Sequence, residues 1–409
     1  MRRVVVTGMA SISSLGETQE QIMQALKARR NTTRCIDDWG QYQGLRSHLF
    51  APLASYSPPA DFTRKQMRTM SSLSVLSVDC TRRAVADAGL LDDPIISSGR
   101  TGVSYGSCVG SVSVMDACVK LLKEQNARDI NSTTYVKIMG HTAPVNISLF
   151  FRTKGRTINS STACTSGSLG IGLAYEAISM GRVDVMLAGG AERCNVLHTA
   201  VFDALFATST RNDTPELTPA PFDRDRDGLV LGEGACTLVL EELEHARARG
   251  ARIYAEVVGF GYTSDGAHIT SPNADTMKNA MLEALQMAGL QPGDVDYLSL
   301  HGTGTRNGDK AEAEATSAVF GSALPVSGLK GYTGHTLGAC GALESMVSIM
   351  MMREGWFHPN LNLREVDPDC AGLDLITGEG RSIDAEYVMN NNYAFGGINT
   401  SLIFRKWRD

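Results

Sequence analysis

Apolar and polar positions follow two different periods along this chain, and the switches between them mark out its elements. Short runs at residues 3–7, 100–105, 157–160 and 183–187 look extended and read as strands. Apolar residues at helical spacing cover residues 20–29 and 71–88. The second run stops at Ala88-Gly89, where a glycine can take the left-handed turn that ends a helix. Extended patterns return at 235–240, 253–259 and 295–300, and helical ones at Ala274–Ala288 and 310–319. Such alternation predicts an α/β fold, with parallel sheet covered by helices.

The pattern also repeats on a larger scale. A strand, a turn bearing Cys164 and a small-residue helix over 166–180 have a counterpart in Val326-Ser327, a turn bearing His335 and a helical stretch over 339–351. Two related units, 1–250 and 251–409, meeting at one central site are therefore expected. Arg247-Ala248-Arg249-Gly250 between them reads as a helix end, not a flexible linker. Low-complexity sequence is absent, and the loop 56–59 comes nearest to it.

Composition narrows the class. The chain has 409 residues, 43% hydrophobic and 20% charged, with 41 glycines, enough to bury a sizeable core among tight turns. No apolar run approaches bilayer-spanning length. The apolar run after Arg2-Arg3 is too short for a signal peptide and fits a first strand better. Nine scattered cysteines without a CxxC pair or a His/Cys metal spacing point to a reduced, cytoplasmic setting and to no metal. A net charge of −6 argues against general nucleic-acid binding, and neither GxGxxG nor GxxxxGK[ST] occurs.

Three strings carry candidate chemistry. In Ser160-Ser161-Thr162-Ala163-Cys164-Thr165-Ser166-Gly167-Ser168, one thiol sits where a strand gives way to a helix. Unpaired N–H groups and the helix dipole there favour a thiolate, although a free cysteine can also be a small buried hydrophobe. His301-Gly302-Thr303-Gly304-Thr305 and Lys330-Gly331-Tyr332-Thr333-Gly334-His335-Thr336-Leu337-Gly338 each set a histidine among small residues and hydroxyls after an apolar strand. A cysteine with two such histidines reads as thiol-mediated acyl chemistry.

In this order the strings resemble the β-ketoacyl-acyl-carrier-protein synthases, the decarboxylating condensing enzymes of fatty acid and polyketide assembly. The similarity runs from Val4-Val5-Val6-Thr7-Gly8 through Pro221-Phe222-Asp223-Arg224-Asp225-Arg226-Asp227-Gly228 and Gly232-Glu233-Gly234 to Asn392-Tyr393-Ala394-Phe395-Gly396-Gly397-Ile398-Asn399. It is greatest to the elongating branch with a Cys-His-His site. The resemblance implies a thiolase-like αβαβα fold with pseudo-twofold halves, and a homodimer or a heterodimer with a related chain. It implies no cofactor beyond the phosphopantetheine of an acyl-carrier protein, which would be the partner.

The same resemblance distributes roles. Cys164 would accept an acyl chain, with the backbone N–H groups of Cys164 and Phe395 receiving the oxyanion. His301 and His335 would donate Nε2–H to the enolate left when a malonyl thioester loses CO2. Lys330 would set a cation beside them and orient the malonyl carboxylate region, with Glu344 as its partner. Thr303 and Thr305 match positions that bond the pantetheine arm, and Asp309 looks like a turn residue holding the His301 loop. Phe395 would gate the acyl pocket, with Phe202 and Val109 in its wall, Val109 at the floor. Arg64, Lys65 and Arg68 form a basic cluster suited to an acidic carrier protein. The chain departs from the family at Ala394 (usually Gly), Leu229 (usually Phe) and Ile398 (usually Thr). These departures bear on the gate and on acyl selection, and leave open a fatty acid or a polyketide or polyene pathway. Two other readings are a thiolase, which would need a second reactive cysteine in a Gly-rich C-terminal turn, and a non-catalytic chain-length partner, which would lack Cys164.

Overall fold

The apolar run at residues 3–7 continues through Gly8 into a longer strand, β1 (Val4–Ser13), buried at every position. Burial on both faces is the reason its sequence is a continuous run with little alternation. The computed structural model describes residues 1–54, 56–112 and 114–408. Among these, β1 lies within an eleven-stranded sheet. The other strands are β2 (Thr101–Gly106), β3 (Thr157–Asn159), β4 (Val185–Glu192), β5 (Gly234–Glu242), β6 (Ala255–Ser264), β7 (Tyr297–Leu300), β8 (Pro325–Gly328), β9 (Asp374–Leu375), β10 (Tyr387–Ala394) and β11 (Ile398–Lys406). Their spatial order is β9-β8-β7-β10-β11-β6-β1-β5-β4-β2-β3.

That order contains one topology twice. Outward from β1 the sheet takes two antiparallel steps, to β5 and β4, then two parallel steps, to β2 and β3. Outward from β6 it takes the same steps, antiparallel to β11 and β10, then parallel to β7 and β8. The two sets are joined where Val4, Val5 and Val6 pair with Val257, Glu256 and Ala255.

Seven helices complete the layers relevant to the site: α1 (Ser72–Asp87), α2 (Thr142–Phe151), α3 (Ser166–Ser179), α4 (Val196–Ala204), α5 (Ala274–Ala288), α6 (Arg306–Phe320) and α7 (Cys340–Glu354). The first two cover the outer face of the β1 set, and α5 covers that of the β6 set with α6 packed against it. Between the two sets lie α3 and α7, packed on each other, which gives the αβαβα layering. Residues 340–352 of α7 are all buried, its polar Glu344, Ser345 and Ser348 included, which explains why that helix has no solvent-facing polar stripe. Its contact with α3 depends on glycine. A Cβ on Gly167 would lie 2.8 Å from the Ala342 nitrogen, and one on Gly341 would lie 2.7 Å from the Ser168 nitrogen.

The pattern falls short in several places: β4 and β6 each run five residues past their expected ends at 187 and 259. Helix α6 begins at Arg306, four residues before the predicted start, because Asn307 and Gly308 are poor helix formers that hide its first turn. No alternation announces the pair β10 and β11, since both are buried along most of their length. Among the described residues no helix is long and apolar enough to cross a membrane.

Candidate active site

Each of the three strings folds into a turn whose shape follows from its small and polar residues. Ahead of α3, Ala163 takes a left-handed φ of 52°, a conformation that costs an L-residue about 1–2 kcal/mol. Ser166 holds it by accepting from the Thr162 N–H (2.9 Å) and donating to the Ala163 carbonyl (2.6 Å). The turn thrusts Cys164 toward the second half, where its Sγ lies 3.0 Å from His335 Nε2.

His301 follows β7, and its loop is bound by buried carboxylates. Glu312 accepts from the N–H groups of His301 (2.6 Å) and Gly302 (2.7 Å). Asp309 accepts from those of Thr303 (3.0 Å), Gly304 (3.1 Å) and Phe222 (2.8 Å) and pairs with Arg226 at 3.2 Å. Burial pushes Asp309 up to about 6 and Glu312 up to about 8, against the pull of these donors. The sequence motif contains Asp309, but Glu312 looks like any carboxylate on a polar helix face. Only the fold turns it inward.

The two imidazoles meet nearly at right angles, with ring centroids 5.2 Å apart and an interplanar angle of 84°. Hydrogen bonding fixes their tautomers. The Leu337 N–H donates to His335 Nδ1 at 3.2 Å. Lys330 Nζ, which has only donors, lies 3.1 Å from His301 Nδ1, with Asn392 Nδ2 at 3.4 Å. Each Nδ1 must therefore accept, and each neutral ring carries its proton on Nε2. Burial, then Lys330, holds both rings well below the usual histidine range, so they are uncharged. Cys164, His301 and His335 lie close enough to share an ion. A metal would need Nε2 lone pairs and Nδ1–H groups facing acceptors, the opposite of this arrangement.

Lys330 and Glu344 are both almost wholly buried and 2.6 Å apart. Burial opposes the charge on each: Glu344 nonetheless holds Lys330 above the usual lysine range, whereas burial pushes Glu344 up against the pull of Lys330 and Asn392. Asn392, 2.6 Å from the other Glu344 oxygen, is the third member of this group. Its signal was a run of three asparagines inside an otherwise apolar strand.

A cavity of about 520 Å³ opens onto the thiol. Cys164, His301, His335, Thr303, Thr305 and Phe395 are among its lining residues, and the two threonine hydroxyls lie 2.9 Å apart. Phe202, from α4, also lines it and stacks on Phe395 at 5.6 Å. Arg64, Lys65 and Arg68 are all exposed, the first two on the short helix Arg64–Met67.

Three expectations meet a different local arrangement. Lys330 is not among the residues lining the cavity; its ammonium faces Glu344 at 2.6 Å and His301 Nδ1 at 3.1 Å. Val109 is 51% exposed and is not in the cavity wall of the single chain. Glu192 takes the backbone N–H groups of Cys108 and Val109, which ties this loop down by its main chain. The Cys164 thiol is pushed up to about 11, not toward a thiolate. Burial outweighs Lys330 and the N–H groups of Phe395 and Cys164, which act in the other direction. Those two N–H groups are near enough to the sulfur to affect its charge. Cys340, the other thiol in the vicinity, donates to the Cys164 carbonyl at 3.2 Å and does not line the cavity.

Comparison with known proteins gives the same grouping. Residues 1–246 match the model for the N-terminal domain of β-ketoacyl synthases, and residues 254–364 that for the C-terminal domain. The chain is 34% identical over 410 residues to 3-oxoacyl-[acyl-carrier-protein] synthase 1 of Haemophilus influenzae, covering 100% of both. It is similar, at 55% identity and a TM-score of 0.98 over 100% of both chains, to the crystal structure of a β-ketoacyl synthase from Burkholderia phymatum STM815. The ishigamide ketosynthase/chain length factor structure is similar at 31% identity and a TM-score of 0.90, again over 100% of both. With a buried thiol facing two Nε2–H donors and domain models matching both halves, the chain belongs to the β-ketoacyl synthase family.

Proposed function

We propose that this chain is an elongating 3-oxoacyl-acyl-carrier-protein synthase. It joins an acyl group held on Cys164 to malonyl-carrier protein, giving 3-oxoacyl-carrier protein and CO2. The observation that carries this reading is the convergence of Cys164 Sγ with two imidazoles whose Nδ1 atoms are both occupied as acceptors.

In the first half-reaction the Cys164 sulfur attacks the thioester carbonyl, and the pantetheine sulfur leaves with the thiol proton. Charge on the tetrahedral oxygen falls to the N–H groups of Cys164 and Phe395. In the second, the malonyl C–C bond breaks to release CO2, and the enolate oxygen is held by the Nε2–H groups of His301 and His335. The enolate carbon then attacks the acyl carbonyl, expelling the Cys164 thiolate. Lys330 and Glu344 act through His301 and are positioning residues. Thr303 and Thr305 offer hydroxyls to the amides of the pantetheine arm. Phe395, stacked on Phe202, stands between the thiol and the acyl pocket. We assign 1–250 and 251–409 as the two halves, the first supplying the thiol and the second the histidines.

The chemistry calls for no resident cofactor, since the carrier protein brings the pantetheine. A cytoplasmic homodimer is the expected form. The test is intact-protein mass spectrometry of the chain purified alone, supplied with acyl-carrier proteins of graded length and then malonyl-carrier protein. An acyl adduct on Cys164 followed by a 3-oxoacyl-carrier product is expected. An inert chain that condenses only after a related chain is added would place it in an obligate heterodimer. A chain inert in both settings would reject the reading.

Arg64, Lys65 and Arg68 make no ion pair among the described residues, and we assign them to carrier docking. Reversing charge at Lys65 and Arg68 should raise KM for carrier-bound substrates with little change for small thioesters. The effect should shrink with salt, as the Debye length falls from about 10 Å at 0.1 M to about 3 Å at 1 M. Equal changes for both substrate types would remove the assignment.

A further inference from the structure

Glu192 is a buried carboxylate to which the reaction above gives no part. It ends β4 with no exposed surface, and no cation pairs with it among the described residues. Its partners are all backbone N–H groups. Oε2 accepts from Cys108 (2.6 Å) and Gly338 (3.1 Å), and Oε1 from Val109 (3.4 Å). Cys108 and Val109 belong to the loop after β2 in the first half. Gly338 belongs to the turn Leu337–Ala339 in the second half.

That turn holds the His335 ring. Leu337, whose N–H fills His335 Nδ1, has a left-handed φ of 47°. A residue without glycine's freedom stays in that region only when its surroundings hold it there. The Gly338 N–H, next along the chain, is tied to Glu192, and there is no slack at the contact. A Cβ on Gly338 would lie 2.6 Å from the Ser107 Cα and 2.9 Å from Glu192 Oε2.

We infer that Glu192 is a positioning residue for condensation. Its carboxylate clamps the Leu337–Ala339 turn of one half onto loop 107–109 of the other, and so maintains the Leu337 N–H that keeps the His335 proton on Nε2. The inference rests on the reading of His335 as an enolate donor. Donation to a charged acceptor is the stronger kind of hydrogen bond, so the clamp is firmest when Glu192 is ionised. Burial pushes Glu192 up to about 7, against the three N–H donors, so the clamp weakens as pH falls through neutrality. The titratable groups that interact with it are Cys108 from the loop, Cys194 beyond β4 and Cys164 ahead of α3. Arg193 is engaged with Glu233 at 3.2 Å.

Two measurements test this. Glu192→Gln keeps the shape but turns an NH2 toward N–H donors. The kcat for malonyl decarboxylation should fall about 10- to 100-fold with KM unchanged, the size expected when a supporting contact is lost. An acid limb near neutrality is expected in the wild-type pH profile and should be absent from the variant's. Separately, ring-15N spectra of wild-type histidines should show His335 protonated on Nε2 above neutrality and shifting toward mixed tautomers as Glu192 protonates. That spectrum does not require the variant to fold, and it is readable even if the wild type proves unable to condense. A His335 tautomer constant through the titration overturns the inference, as does a Glu192→Gln enzyme with the wild-type rate and pH profile.

Discussion

Cys164→Ala should eliminate condensation, lowering the rate by at least about 10⁴-fold, as removal of a nucleophile does elsewhere, while malonyl-carrier protein is still decarboxylated. The separation follows from the geometry. On the proposed reading the thiol holds the acyl group, whereas the enolate falls to His301 and His335, whose Nε2–H tautomers are fixed by Lys330 and Leu337 independently of the sulfur. His301→Ala or His335→Ala should do the reverse, suppressing CO2 release much more than acylation of Cys164. Alanine at 164 replaces one small buried side chain by another, so the fold should persist. The measurement is parallel: acyl adduct by intact mass and CO2 by a coupled assay, for each variant. An acyl adduct on another cysteine in Cys164→Ala would overturn the assignment, as would unimpaired CO2 release in either histidine variant.

Lys330→Met should destabilise the fold by about 3–5 kcal/mol, because removing one partner leaves the other as an uncompensated buried charge. Here that charge is Glu344, whose remaining support is the Asn392 amide at 2.6 Å. Adding Glu344→Gln removes the stranded charge and should recover most of the stability, since a buried ion pair contributes little net. It should not recover decarboxylation. In the double variant His301 Nδ1 keeps only the longer contact to Asn392, at 3.4 Å, and the ring loses the donor that fixes its proton on Nε2. Denaturant unfolding and CO2 release on the same three proteins separate the two effects. Recovery of the two in step would mean that Lys330 serves the fold alone.

The thiol and the paired carboxylates illustrate how local reading and tertiary context diverge. A cysteine before a helix suggests a stabilised thiolate, because the N-terminal N–H groups are visible in the sequence. The desolvation that pushes Cys164 up to about 11 is not, since it arises only when folding buries the thiol. Likewise Lys330 beside a catalytic-looking histidine suggests contact with substrate, whereas packing of α7 against β10 brings Glu344 and Asn392 behind it and turns the ammonium inward.

By itself the sequence determined the elements whose burial is regular. Helix Ala274–Ala288 could be read residue for residue, and β1 could be recognised from its apolar start, because one-sided or complete burial imposes a period or a run. It also determined which residues could do chemistry: a thiol and two histidines in turns of small residues, where backbone can bend and side chains can approach. The repeated strand–turn–helix pattern around Cys164 and His335 announced two related units. Tertiary structure decided everything that requires two distant segments to meet. The 3.0 Å contact between Cys164 and His335 spans 171 positions, and no periodicity encodes a distance of that kind. The tautomers were settled by donors from Lys330 and from a strained turn at Leu337. Glu192 and Glu312 look like ordinary carboxylates in the chain and become acceptors for loop N–H groups only in the folded protein, Glu312 within the second half and Glu192 across both, because burial makes every unpaired donor costly and a carboxylate can satisfy several at once.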